Sequence, residues 1–121
     1  MTRIGSPLWA APEVLGGRRY CEHVDTYSLG VVMFEIAVRA YPYAKRLREF
    51  KSQGGKGMDM QLMRGIADGK RRIQLEGEGE GVSPAFKKLF RRCVAFEPEE
   101  RPAMQEVAKK LEEILSESHG L

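Results

Sequence analysis

Cysteine is scarce in this sequence: Cys21 and Cys93 are the only thiols among 121 residues. With no secretory signal in front of them, no disulfide framework is expected, and free thiols in a reducing compartment are the default reading. Histidine is equally sparse, limited to His23 and His119. Neither cysteine has a second ligand at zinc-like spacing, so no metal site is expected. Charge of one sign is also lacking, because 20 basic residues face 17 acidic ones for a net charge of +3. That balance implies no nucleic-acid or membrane partner unless the basic residues cluster. Long apolar runs are missing too. The stretch from Val24 to Val38 is broken by Thr26, Ser28 and Glu35 and falls short of the roughly 18–20 residues a membrane span requires. Together with the absence of a targeting peptide, these features predict a soluble, intracellular, cytoplasmic chain.

The composition that is present, 42% apolar and 31% charged, suits one globular domain or a piece of one. Residues 1–22 carry turn formers (Gly5, Pro7, Pro12, Gly16, Gly17) and read as a loop with one helical turn near Ala11–Leu15. Residues 23–38, containing "VDTYSLGVVMFEIAV", are apolar nearly all the way round. They read as a helix buried on most sides, with a strand pair as the alternative. Asp25 stands near its start, where a carboxylate can accept backbone N–H groups. Residues 39–58 are basic and glycine-rich and read as an exposed loop.

Three further helices are expected within residues 59–116. Asp59 caps the first, whose Leu62, Met63 and Ile66 share a face and which Gly69 ends. An acidic "EGEGEG" linker follows at 76–81. Ser83 and Pro84 then open a helix in which Phe86, Leu89, Phe90, Cys93 and Val94 recur with helical period. That helix must stop before Pro98. The last starts near Pro102, with Met104, Val107, Ala108, Leu111, Ile114 and Leu115 as its apolar stripe and a Glu106–Lys110 pair on the solvent side. Periodicity alone therefore predicts an all-α fold around one very apolar helix.

A search for catalytic constellations finds no Ser/His/Asp set, no paired carboxylates in a cleft and no phosphate-cradling glycine loop. Gly54, Gly55 and Gly57 lack both the required spacing and a preceding strand. Basic clusters at Lys70–Arg72 and at Lys87, Lys88, Arg91 and Arg92 have the plain reading of a solvated helix face. A small basic helical protein binding nucleic acid is the competing reading of the same residues.

The informative signal is a combination. "GSPLWAAPEVL" at 5–15 contains Ala11-Pro12-Glu13, "DTYSLG" follows at Asp25–Gly30, and "FEPEERP" comes at Phe96–Pro102. In this order and spacing they resemble the C-terminal helical subdomain of the eukaryotic protein kinase domain, from the end of the activation segment to the last helix. The pattern of Cys93, Pro98, Arg101 and Pro102 with "GVVMFEI" is nearest the tyrosine-kinase-like group of Ser/Thr kinases. Ala10, Leu29 and Val94 depart from that pattern, each by an apolar exchange.

This resemblance implies roles. Ser6, Pro7, Leu8 and Trp9 would form the substrate-docking loop, with Ser6 at the hydroxyl position typical of Ser/Thr kinases and Trp9 on the floor of the peptide groove. Leu8 stands where tyrosine kinases usually carry a basic residue. Glu13 would pair with Arg101, and Asp25 would anchor the backbone of the catalytic loop. Thr2 and Ser6 lie where activation-segment phosphorylation occurs. The glycine-rich loop, strand lysine, catalytic-loop Asp and Asn and metal-binding Asp of the family are not in these residues; the resemblance places them before residue 1. No catalytic residue, metal or cofactor is thus expected here, while ATP and magnesium are expected for the intact kinase. The implied function is the C-terminal portion of a protein serine/threonine kinase, whose partners are its protein substrate and the N-terminal kinase portion. The alternative is a non-catalytic, kinase-derived binding module presenting Met58, Met60 and Met63 to a partner. Without its N-terminal cover, the central helix would leave a patch that favours aggregation or partial order.

Overall fold

The computed structural model describes residues 7–19, 21–75 and 82–118. Ser6, Thr2 and the acidic linker at 76–81 lie outside them. Among the described residues every regular element is helical: α1 (Pro12–Leu15), α2 (His23–Val38), α3 (Ala44–Ser52), α4 (Met60–Ala67), α5 (Pro84–Cys93) and α6 (Met104–Ser118). Single 3₁₀ turns at Pro7–Trp9 and Pro98–Glu100 complete the set.

The helix starts follow local chemistry. Asp59 accepts the Leu62 N–H at 3.1 Å and so caps α4, while Ser83 Oγ accepts the Phe86 N–H at 3.2 Å ahead of Pro84 in α5. Each cap satisfies an amide that the first helical turn leaves without a partner. Packing then follows the apolar faces. α5 lies against α2 and α6, α1 lies against α4, and both 3₁₀ turns rest on α2. The main core joins Trp9, Tyr27, Val31, Met33 and Phe34 to Leu89, Phe90, Cys93 and Val107. A second, smaller cluster of Leu62, Met63 and Ile66 is bridged to it by Leu8 and Tyr43.

Helix α2 is the axis of the fold, but one of its stripes is open. Thr26, Tyr27, Gly30, Val31, Met33 and Phe34 are buried. Asp25, Leu29, Val32 and Ile36 recur at four- and three-residue spacing along the opposite side, where Leu29 and Val32 are half-buried against the core but Asp25 is exposed and Ile36 is 71% exposed.

Three expectations require correction. Residues 44–52, expected within a loop, form α3. The segment has no Gly or Pro and is rich in Lys, Arg and Glu, which favour helix, and Leu47 and Phe50 share one face at i, i+3. Lys70–Arg72 do not sit on a helix face, because α4 ends at Ala67 and Gly69 turns the chain at φ +79°. In α6, Val107 is fully buried and Leu111 and Ile114 pack on the core, but Met104, Ala108 and Leu115 are exposed. Glu106 there pairs across to Arg92 at 2.8 Å, and Lys110 reaches Glu113 at 3.8 Å.

Gly30 marks the closest approach of α2 to α5. A Cβ at this position would stand 2.6 Å from Val94 Cγ1 and 2.9 Å from Cys93 Cβ. Neither neighbour can swing away, since one is a stiff β-branched side chain and the other the root of a buried one. Gly30→Ala is therefore expected to destabilise the fold by about 1–3 kcal/mol through overpacking, against a helix-propensity gain of up to ~1 kcal/mol. Thermal melting of the two proteins measures the sign directly; a raised midpoint would mean that the helices separate freely.

Candidate functional site

The Pro7–Trp9 turn is fixed to α2 from two directions. The Trp9 indole N–H donates to Glu35 Oε1 at 2.9 Å, and Ser28 Oγ donates to the Trp9 carbonyl at 2.6 Å. The Trp9 ring is itself buried and meets the exposed Tyr41 edge-on, with centroids 6.4 Å apart. Leu8 is half-buried and touches both core clusters. The turn thus presents a backbone ledge whose floor is an immobilised indole.

Glu13 and Arg101, 88 positions apart, form a bidentate ion pair at 2.7 and 2.8 Å. Both side chains are almost wholly buried, at 2% and 0% exposure. The guanidinium spends its remaining donors on backbone carbonyls: Ala95 at 2.8 Å, His23 at 3.1 Å and Phe96 at 3.1 Å. It also lies over the Tyr27 ring, 5.0 Å from its centroid. One side chain therefore ties α1, the start of α2 and the 95–101 segment together, which suits the rigid fork of arginine and not the point charge of lysine. Burial alone pushes the Glu13 carboxyl up, but the hydrogen bonds and charge of Arg101 outweigh it and hold the group below its ordinary value. Thr26 adds a second tie by donating its hydroxyl to the Pro102 carbonyl at 3.1 Å.

Asp25 sits apart from both groups. Its carboxylate is on the open stripe of α2 and has no hydrogen bond or ion pair among the described residues. Of the other groups with reactive chemistry, Cys93 is buried, and burial pushes its thiol up to about 11, so it is not a nucleophile at neutral pH. Tyr27 is likewise pushed up to about 12 by burial. Among the described residues no three His, Cys, Asp or Glu side chains converge on a point where a metal ion would bind.

Two contacts escaped sequence reasoning. The Trp9–Glu35 bond joins residues 26 apart, and the signal for it is the lone carboxylate in the apolar second half of α2. The Arg46–Asp59 pair, at 2.8 Å, fastens α3 to the cap of α4. It holds the Asp59 carboxyl below its ordinary value.

Comparison with known proteins gives the same answer from several directions. Residues 1–111 match the family model described as "Protein kinase domain". The "Probable serine/threonine-protein kinase drkC" of Dictyostelium discoideum is 34% identical over 113 residues, covering 93% of this chain and 13% of that protein. "Dual specificity protein kinase shkD" of the same organism is 32% identical over 111 residues, covering 92% and 13%. "Dual specificity testis-specific protein kinase 2" of Homo sapiens is 34% identical over 116 residues, covering 93% and 17%. The chain therefore spans less than a fifth of the length of each of these relatives. No helix of the described residues is long and apolar enough to cross a membrane.

Proposed function

This chain belongs to the protein kinase domain family, and we propose that it serves as the substrate-docking and scaffold part of a protein serine/threonine kinase. The intact domain would transfer the γ-phosphate of ATP to serine or threonine hydroxyls of a protein. The nucleotide and magnesium would be held by residues other than those described. The observation that carries the reading is the pinned Trp9: its indole and carbonyl are both tied to α2, so the Pro7–Trp9 ledge is rigid before any peptide arrives. A ledge fixed in advance binds an extended chain without first having to order itself.

The remaining parts fall into support roles. The Glu13–Arg101 pair holds the end of that ledge to the lower helices, so its part is positioning. Asp25, at the head of the open stripe, has its carboxylate free to accept backbone N–H groups of a catalytic-loop segment, with Leu29, Val32 and Ile36 as the apolar seat beneath. Leu8 favours a serine/threonine kinase over a tyrosine kinase, in which a basic residue usually stands at that position. The second reading, a non-catalytic binding module, draws on the exposed Met58 and on Met60 at the start of α4, while Met63, expected beside them, is buried in the α4 cluster.

A phosphotransfer assay on the full protein tests the choice. Peptides with serine or threonine acceptors are expected to be turned over well ahead of the tyrosine version. Leu8→Glu should raise KM about tenfold, equivalent to about 1.4 kcal/mol, with kcat little changed. Unchanged KM in that variant would remove the docking role, and absence of any phosphotransfer by the full protein would leave the binding-module reading.

A further inference from the structure

The turn from α2 to α3 and the chain that follows α4 enclose a cleft of about 530 Å³ between them. Lys45, Arg48, Arg71 and Arg72 line it, and among the described residues no carboxylate does. Elsewhere in the fold Arg46, Arg92 and Arg101 each face an acidic side chain. The cleft cations are left unneutralised: Arg72 gives one donor to the Val94 carbonyl at 3.3 Å, and Arg48 and Arg71 make no ion pair among the described residues. Gly65 explains how Arg71 is held there. A Cβ at that glycine would come within 2.7 Å of Arg71 Cγ, so the bare backbone of α4 is the surface on which the arginine stem lies. The turn opposite is equally set, with Arg39 and Tyr43 both in the left-handed region at φ 55° and 58°.

From this geometry we propose that the cleft is a binding site for the phosphate group of a phosphoserine or phosphothreonine in a polypeptide. Four cations around one concavity more than offset the charge of a phosphomonoester, close to −2 at neutral pH, and the arginine forks supply paired donors to its oxygens. A peptide is favoured over a nucleic-acid strand by position. Tyr41 lines the cleft and also rests edge-on against Trp9, so the cleft opens one ring away from the Pro7–Trp9 ledge. A chain lying on that ledge would carry a neighbouring phosphorylated side chain into the cations. The site would then select proteins that already bear a phosphate near the docked segment. This assignment rests on the docking reading for its location, though not for its chemistry.

Fluorescence anisotropy on the full chain tests it, using a labelled peptide carrying one phosphoserine and its unphosphorylated twin. The phosphopeptide is expected to bind at least about tenfold more tightly. Arg48→Glu combined with Arg71→Glu, both at exposed positions, should abolish that preference while circular dichroism shows the helices intact. Lys88→Glu with Lys109→Glu changes the net charge equally, away from the cleft, and should preserve it. Equal affinity for the two peptides overturns the proposal, as does equal loss in the control pair or tighter binding of duplex DNA than of the phosphopeptide. Leu8→Glu separates the two readings. If it weakens both peptides by the same factor, ledge and cleft act together. If it weakens neither while the phosphate preference survives, the docking reading falls and the cleft stands.

Discussion

Arg101→Met is expected to destabilise the fold by about 3–5 kcal/mol, seen as a large fall in the urea midpoint of the full chain. The substitution keeps most of the apolar stem but removes all five donors, and each lost donor has a named consequence. Glu13 is left as a buried carboxylate at 2% exposure with its bidentate partner gone, and the carbonyls of Ala95, His23 and Phe96 lose their donor. Arg101→Lys should recover only part of the loss, because a single ammonium cannot reach a carboxylate and three carbonyls arranged around a planar fork. Glu13→Gln in the Met background should recover more, since it removes the unpaired charge that makes the single variant costly. Independence of the two substitutions in that cycle would mean that the pair contributes no coupling.

The same pair sets an acid limit. Glu13 has a folded value below its ordinary 4.5, so the unfolded chain binds a proton more readily than the folded one. Its contribution is fully present above about pH 5 and is lost as pH falls below 4.5 through the lowered folded value. Denaturation midpoints of the parent should therefore fall through that window, and those of Glu13→Gln should fall less.

Sequence reasoning reached the long-range elements here because they are built from rare residue types in fixed order. A Pro-Glu at 12–13 and an Arg-Pro at 101–102 are legible as motifs, and the α5 stripe is legible as period. Helix α3 was not, because only Ala44, Leu47 and Phe50 among its nine residues are apolar, and the flanking glycines and cations gave it the composition of a loop. Its stability comes from elsewhere: Leu47 packs on the α4 cluster, and Arg46 reaches Asp59 across thirteen positions. Such tertiary support leaves no periodic trace. The basic cleft was hidden for a related reason. Lys45 and Arg48 belong to one segment and Arg71 and Arg72 to another, and in the chain each pair reads as ordinary surface charge. Only the fold makes them one site.

The open stripe on α2 was anticipated in kind but not in place. A helix apolar all round predicts cover on every side, yet burial is concentrated where α5 and the 3₁₀ turns meet it. That asymmetry decides where the second large effect must fall. Phe90→Ala is expected to cost about 3–5 kcal/mol. Phe90 has no exposed surface and faces Phe34 of α2 with ring centroids 6.2 Å apart, within the packing that joins α5 to the central helix. Truncation there leaves a void beside Phe34 in the closely packed main core, which cannot collapse to fill it. Against a typical total of about 5–15 kcal/mol, the loss takes up much of what holds the chain folded. Phe90→Leu, keeping most of the volume, should cost far less. Ile36→Ser, two residues further along α2 than Phe34 but 71% exposed, should change the melting midpoint little in this chain. A comparable loss from Ile36→Ser would show that the stripe is covered in solution, and a small loss from Phe90→Ala would show that α5 is not seated on α2 as the fold requires.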